Sequence, residues 1–564
     1  MPFVNFCKSP SPVSDFATSA LKIALCQMNS TVGDFSGNAL KIREAALRAQ
    51  NEGAGLVVTP EMSLTGYPIE DWGLRDDFCE KARQSLMQLA QDIAGSVPAL
   101  VGTVWTDESG RRRNALAFLR QGKIEVVHFK NCLPNYGVFD EPRVFTAGTE
   151  ATVIDVDGVK LGLAICEDIW HQQFVDRTCA AGAQVILVAN ASPFESGKMS
   201  EREAVVLPQT AVAHVPLVYV NAVGGQDELV FDGSSFVSNT EGQVIHRMQR
   251  FKEDFAVVAV KDLAQSTEAV ALPTGETTRL AEIYDALKLA LRDYVKKNGF
   301  HQVVIGLSGG IDSALVTAIA ADALGAENVL AVMMPSQFTA DLSFQLAKQL
   351  VENLKVRYVI RPIEPLFDAY RQLLFEDFAG KPWDVTEENL QARIRGTILM
   401  AYANKFRRLV ITTGNKSETA VGYSTLYGDT AGAFALIKDV YKTDVWALAR
   451  YVNRLNGSEV IPKEIIDRAP SAELREGQKD EDSLPPYDKL DAILKAYVDE
   501  RKTKQQLTTE VDCDMEVCKR GVRLVRRNEY KRRQTPLGPK LSRMAFGRDW
   551  RYPISIENDM EVYT

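Results

Sequence analysis

Three side chains and one glycine-rich loop in this 564-residue sequence have the types and settings that chemistry needs. Cys166 ends the apolar run "KLGLAIC", Glu61 ends "GLVVTPE", and Lys130 follows "VVHF". All three stand at the ends of strand-like runs, where open α/β architectures gather reactive groups. A thiol on a turn after a strand, beside a cation and a carboxylate, is the arrangement of an activated nucleophile. Taken singly, each has a plainer reading: the cysteine as a small buried hydrophobe, the glutamate and lysine as surface charges. The loop is "GLSGGIDS", which is Gly306, Leu307, Ser308, Gly309, Gly310, Ile311, Asp312 and Ser313. It follows "HQVVIG" and opens the helical pattern "ALVTAIAADALG", so free N–H groups and the positive end of a helix dipole face whatever binds there, phosphate first. No Gly-Lys-Ser/Thr triplet closes it. Beside a triphosphate Asp312 would repel unless a divalent cation bridged the two, and we read it as a magnesium ligand. A glycine-rich turn with an acidic cap is the alternative.

The elements that must position these groups come in two series. The first half alternates β-rich runs, "LKIALCQMN", "GLVVTPE", "ALVGTVW", "NALAFLR", "EVVHFKN", "KLGLAICED", "QVILVANAS", "VPLVYVNAV" and "FAVVAV", with helical stretches such as "NALKIREAALRAQNEG". Near 262–280 periodicity is lost amid Ser, Thr, Pro and Gly, which marks an inter-domain linker. The second half opens with a helix, "AEIYDALKLALRDYVKKNG", and then alternates the strands "QVVIGLS", "NVLAVMMPS", "VRYVIRPI" and "RLVITTGNK" with helices. Such alternation predicts a parallel sheet covered on both faces. Residues 471–486, "SAELREGQKDEDSLPP", are polar and Pro-terminated, which reads as a surface loop.

Composition narrows the function classes. With 65 Lys and Arg against 74 Asp and Glu the net charge is −9, so nothing global recruits nucleic acid or an anionic membrane. No apolar run reaches the roughly 18 residues of a spanning helix. Residues 1–20 lack an apolar signal-peptide core and read as a loosely ordered extension. The eight cysteines show no CxxC and no zinc-like spacing, Cys513 and Cys518 included, and read as reduced thiols of a cytoplasmic protein. Five histidines leave few candidates for a His-based site. The stretch "KRGVRLVRRNEYKRRQTPLGPK" invites an RNA-contacting reading, but it carries one aromatic, Tyr530, for bases to stack on. A solvated helix face with one phosphate contact is the reading we adopt.

The string SGG-x-DS resembles the phosphate loop of the ATP pyrophosphatases, which release pyrophosphate while adenylating a substrate. With "ITTGNKSETAVGYSTLYGDTAGAFALIKDVYKTDVW", the second half is similar to the NAD synthetases. That resemblance implies that Thr413 and Lys438 contact ATP, that Glu418 joins Asp312 on Mg2+, and that Asn389, Glu418, Asp429 and Lys531 bind deamido-NAD. In the first half "TPEMSLTGYP", "FKNCLPNYGVFDE" and "AICEDIW" resemble the nitrilase, or carbon–nitrogen hydrolase, superfamily. That implies Cys166 as nucleophile on a carboxamide, Glu61 as proton carrier, Lys130 on the oxyanion and Glu141 helping to position substrate. Tyr136, Ser192 and Lys198 match positions that hold glutamine in the fused enzymes. From about residue 21 the chain resembles the glutamine-dependent NAD synthetases, with "PSAELREGQKDEDSLPPYDKLD" adding to the match.

The fold so implied is an N-terminal nitrilase-like αββα sandwich plus a C-terminal Rossmann-like doubly wound parallel sheet of the adenine nucleotide α-hydrolase type. The expected boundaries are 1–20 extension, 21–265 glutaminase, 266–280 linker and 281–564 synthetase. The partners implied are L-glutamine, ATP and deamido-NAD, with neither nucleic acid nor membrane, in a homo-oligomer. Amidations such as GMP or asparagine synthesis pair their phosphate loops with other glutaminase modules, and the Glu61, Lys130, Cys166 set argues against them. A first half serving only as an oligomer scaffold has no use for Cys166.

Overall fold

The computed structural model describes residues 17–266 and 268–556. The chain divides into two compact units, one made of the residues up to Gln226 with Val230–Pro273, the other of Asp227–Leu229 with the residues from Thr274 onward. Residues 1–16 of the expected extension lie outside the described residues.

The first unit holds two six-stranded sheets. Its strands are β1 Lys22–Gln27, β2 Leu56–Val58, β3 Ala99–Thr106, β4 Arg112–Arg120, β5 Lys123–Phe129, β6 Thr152–Val156, β7 Val159–Ile165, β8 Val185–Asn190, β9 Leu217–Asn221, β10 Val223–Gln226, β11 Leu229–Asp232, β12 Phe236–Ser238, β13 Val244–Arg247 and β14 Asp254–Ala259. One sheet has the order β14-β1-β2-β3-β4-β5 and the other β13-β12-β9-β8-β7-β6. The inner strands β1–β2–β3 and β7–β8–β9 pair in parallel, and the edges are antiparallel.

Side-chain alternation explains the layers. In β1, Ile23 and Leu25 join one buried cluster with Leu116, Phe118, Leu161, Leu163, Ile165 and Leu187, which lies between the sheets. Ala24 and Cys26 point the other way, into a cluster with Ile42, Ala46, Leu86 and Leu89 from the helices Phe35–Asn51 and Asp76–Asp92. Ile186 and Val188 of β8 likewise pack outward with Phe174, Val175 and Val206 of the helices Gln172–Ala180 and Lys198–Val212. A strand covered on both faces reads as a continuous apolar run, which is why these strands are plain in the sequence. The result is the expected αββα sandwich. The short strands β6, β10, β11, β12 and β13 are added by the structure, being too brief for a period to declare itself.

The second unit contains one sheet of β15 Val303–Gly306, β16 Val329–Met333, β17 Arg357–Ile360, β18 Leu409–Thr412 and β19 Phe434–Ala435, in the order β17-β16-β15-β18-β19. Every pairing is parallel. The helices Glu364–Leu373 and Val385–Phe406 cover one face through Phe367, Ile394 and Leu399. The helix Ile311–Leu324 packs on the other, backed by Glu276–Lys297 and Lys442–Asn456. Strand order reverses between β15 and β18, the switch point at which such sheets bind ligands.

Three expectations need correction. Cys513 and Cys518 form a disulfide, because the helix Met515–Arg527 folds the chain back and brings their Cα atoms to 6.7 Å. The basic stretch is not wholly solvated: Arg526, Arg532 and Lys540 are buried, and Arg532 donates to the carbonyls of Ala420 and Val525. The polar segment 471–486 is no mere surface loop, since Ser471, Glu473, Leu474, Gln478 and Asp480 line a cavity beside the phosphate loop. Among the described residues, no helix is long and apolar enough to cross a membrane.

Candidate active sites

The first site forms where β2, β5 and β7 end. Lys130 is buried to 1 % exposure and bridges two carboxylates, its Nζ lying 2.8 Å from Glu61 Oε1 and 2.8 Å from Glu141 Oε1. Glu61 is pinned on every side, because Asn114 Nδ2 donates to Oε1 at 2.6 Å and the Ala191 N–H donates to Oε2 at 2.9 Å. Tyr67 donates to Glu141 at 3.0 Å. Burial works against the Lys130 ammonium, yet Glu141 and Glu61 hold it charged well above the ordinary lysine range. Glu141 is raised by burial and by Glu61, against the pull of Lys130.

Cys166 follows β7 directly and opens a short 3-10 turn, Cys166–Trp170. Its φ of 46° places a non-glycine residue in the left-handed region, at a cost of about 1–3 kcal/mol. Strain of this kind at a strand-to-turn corner is how a nucleophile is raised out of a sheet. Burial pushes the thiol pKa well up, Glu61 adds to the rise and Lys130 opposes it. The resting sulfur is therefore a thiol, and its proton must leave as it attacks. A carboxylate held at Glu61 is the group to receive it.

The structure also places the three residues expected around glutamine. Tyr136 is half exposed and donates to Glu167, the neighbour of Cys166, at 2.9 Å. Lys198 stands 4.8 Å over the Trp170 ring, at the other end of the same turn, and pairs with Glu201 at 2.9 Å. Ser192 adjoins Ala191, the donor to Glu61, and its Oγ accepts from the fully buried Arg202 at 3.1 Å. Sequence reasoning missed Asn114, Tyr67 and Arg202: Tyr67 sits within "TPEMSLTGYP" without a role having been given to it, while Asn114 and Arg202 carry no motif and matter only through what they touch.

The second site is a cavity of about 460 Å³ at the C-terminal ends of β15, β16 and β18. The whole 306–313 loop lines it, with Thr413, Asn389, Glu418, Asp429 and Lys531. Gly309 has φ +84°, and a Cβ there would meet the Ser343 carbonyl oxygen at 2.5 Å, so only glycine fits. Ser308 and Ser313 brace the loop, their Oγ atoms 3.1 Å apart and the Gly310 N–H donating to Ser308 Oγ at 3.2 Å.

Charge in this cavity is arranged around one lysine. Lys442 Nζ lies 2.5 Å from Asp312 and 3.2 Å from Glu418, while Asn415 Nδ2 donates to the second Asp312 oxygen at 2.8 Å. Burial raises Glu418 to about 8, against Lys442 and with Asp312. Asp429, raised by burial, accepts the Thr425 N–H at 2.7 Å. Asn389 accepts from Thr425 Oγ1 at 2.8 Å, and Lys531 donates to the carbonyls of Gly422 and Ser424, both at 2.8 Å.

Lys438 is not among the residues that line this cavity. Its ammonium donates to the Pro536 carbonyl at 2.8 Å, outside the cavity lining, and burial lowers it to about 8. Lys442, four residues along in "KDVYK" at the start of the helix Lys442–Asn456, does line the cavity. Asn415, also missed, had a visible signal: "NKSE" is a capping box, with Asn415 capping the helix Lys416–Val421 and Glu418 at the reciprocal position.

The two carboxylates on Lys442 suit magnesium, which binds through one or two acids and completes its shell with water and substrate phosphates. Among the described residues no group of three or more His, Cys, Asp or Glu could hold a metal ion.

Comparison with known proteins agrees with this division. A family model for carbon-nitrogen hydrolase matches residues 22–269, and one for NAD synthase matches 283–535. The chain is similar to the glutamine-dependent NAD(+) synthetase of Acinetobacter baylyi, 46% identical over 511 residues, covering 91% of this chain and 94% of that protein. It is likewise similar to that of Thermotoga maritima, 44% identical over 547 residues, covering 91% and 94%. A solved glutamine-dependent NAD+ synthetase from Acinetobacter baumannii, in complex with ADP, matches with TM-score 0.74 at 42% identity, over 95% of this chain and 98% of that one.

Proposed function

The chain belongs to the glutamine-dependent NAD(+) synthetase family, and on that premise we propose how its residues divide the reaction. It is a ligase that forms a C–N bond with glutamine as amide donor. Cys166 Sγ attacks the carboxamide carbon of L-glutamine. Glu61 takes the thiol proton and delivers it to the departing ammonia, while Lys130 stabilises the negative oxygen of the tetrahedral intermediate. Water, giving its proton to Glu61, then cleaves the thioester and releases glutamate. Glu141 fixes Lys130, and Tyr136, Ser192 and Lys198 hold the substrate.

At the glycine-rich loop, the nicotinate carboxylate of deamido-NAD attacks the α-phosphorus of ATP and pyrophosphate departs. Ammonia displaces AMP, and NAD is the product. Asp312 and Glu418 would hold Mg2+, which supplies charge neutralisation on pyrophosphate when bound. Lys442, and not Lys438, is the residue we assign to the triphosphate beside Thr413. Asn389, Asp429 and Lys531 bind deamido-NAD. Ammonia passes to the adenylate sheltered from water, where it would become the non-nucleophilic ammonium ion. Glutaminase and synthetase chemistry divide at the linker 266–280, and the enzyme works in the cytoplasm as a homo-oligomer.

The observation that carries this reading is the pairing of a buried Glu–Lys–Cys site with a phosphate loop whose acid, Asp312, sits on Lys442. The test is product stoichiometry with deamido-NAD, ATP, Mg2+ and glutamine. NAD, AMP and pyrophosphate should appear one to one, with at least as much glutamate. ADP with phosphate in place of AMP would refute the adenylation step.

A further inference from the structure

The turn that carries Cys166 and the strand end that carries Lys130 are held by a common group which none of the roles above includes. Asp168 is fully buried. Its Oδ1 accepts the backbone N–H of Asn131 at 2.8 Å and of Cys132 at 2.7 Å, and its Oδ2 accepts that of Ile165 at 3.0 Å. His128 Nε2 lies 3.5 Å from Oδ2, while the Nδ1 of the same ring lies 3.0 Å from Thr152 Oγ1. Asn131 directly follows Lys130, and Ile165 directly precedes Cys166. One carboxylate therefore grips the chain next to the oxyanion cation and next to the nucleophile.

Capping of the 166–170 turn explains only the Ile165 contact. The two N–H groups from the β5 end come from a distant part of the chain and belong to no turn of their own. They leave both carboxylate oxygens in use. Glu61 has its own supports in Asn114 and Ala191 and does not depend on Asp168.

We propose that Asp168 is a positioning residue for the glutaminase reaction, setting the separation between the Cys166 sulfur and the Lys130 ammonium. The proposal rests on the assignment of those two residues as nucleophile and oxyanion cation. Cys166 holds its left-handed backbone between two residues fixed through Asp168, namely Ile165 by hydrogen bond and Asp168 itself. Slackening the clamp lets that backbone relax and draws the sulfur away from Lys130. A misplacement of about 1 Å between reacting groups costs on the order of 10²-fold in rate.

Asp168→Asn tests this with little change of size. An amide has one acceptor oxygen, so either the Ile165 N–H or the pair from Asn131 and Cys132 must face the amide NH2. Steady-state glutamine hydrolysis should show kcat lowered about 10²-fold and KM for glutamine within about threefold, since Tyr136, Ser192 and Lys198 are untouched. Ammonia-dependent NAD formation should be unchanged. Backbone hydrogen exchange in β9 reports whether the first unit stays folded. A kcat within threefold of the parent overturns the proposal. So does loss of β9 protection with kcat and KM failing together, which makes Asp168 a general stability residue. If the unsubstituted enzyme releases no glutamate from glutamine, the parent assignment fails instead, and the two failures are distinct.

Discussion

Replacing Lys130 by Met separates structure from chemistry at the first site. The side chain keeps its length but leaves Glu61 and Glu141, both buried, without the cation that each touches at 2.8 Å. At an effective dielectric constant near 20 each attraction is worth about 6 kcal/mol before desolvation is subtracted. Breaking a buried pair by removing one partner costs about 3–5 kcal/mol net. Glu141 is already raised by burial, and without Lys130 to oppose it the folded-state pKa of Glu141 rises further above its unfolded value. An acid raised in this way favours the fold below its unfolded pKa, and that contribution is lost as pH rises through the folded pKa. The penalty should therefore be full at pH 8 and much smaller near pH 5. Amide exchange of peptides covering β4 and β5 in the full-length chain measures it, since global opening governs strands this deeply buried. At pH 8 exchange should accelerate by on the order of 10²–10³-fold, because each 1.4 kcal/mol is a factor of ten. After correction for intrinsic rates, the acceleration near pH 5 should be at least tenfold less. Glutamine hydrolysis should be lost at both values, and ammonia-dependent NAD formation kept. Adding Glu141→Gln should restore part of the protection and none of the hydrolysis. Equal acceleration at the two pH values, or surviving glutaminase activity, would refute the reasoning.

At the second site, Lys442→Met should lower kcat/KM for ATP by on the order of 10²-fold or more, in both glutamine- and ammonia-dependent assays. Lys438→Met should leave that constant within about threefold and cost about 1–2 kcal/mol of stability by urea unfolding, for its lost hydrogen bond to Pro536. The reverse ranking would return the triphosphate contact to Lys438. Glu418, raised by burial to about 8, is mostly protonated at neutral pH and must lose its proton to bind a cation. The Mg2+ concentration for half-maximal ammonia-dependent synthesis, at constant free ammonia, should thus fall up to about tenfold per pH unit from 6.5 towards 8 and level off above. A requirement flat across that range would contradict the role given to Glu418.

Sequence legibility followed physical range. Strands rich in apolar residues declared themselves as runs, so β1, β2, β5, β7, β8 and the four longer strands of the second unit could be read directly, and with them the ends that carry Glu61, Lys130, Cys166 and the 306–313 loop. Gly309 and Asp312 were legible because backbone approach and charge placement demand those types. Lys438 and Lys442 lie in one short stretch, and which of them lines the cavity depends on where the helix Lys442–Asn456 begins, which composition does not show. The segment 471–486 looked like surface because its composition is polar, yet polar residues also line a nucleotide cavity. Asn114 left no signal, and Asp168, though inside "AICEDIW", gave none of its part, since what they do is bind backbone or side-chain groups far away in the chain.

The most direct test of the account follows the nitrogen. Enzyme given deamido-NAD, ATP, Mg2+ and glutamine labelled with 15N in its amide should yield NAD with 15N in its carboxamide. Cys166→Ala should yield none from glutamine, yet form NAD at the parent rate from ammonium. Labelled NAD from the Cys166→Ala variant, or parent NAD carrying no label, would contradict the claim that Cys166 frees the nitrogen that the second site installs.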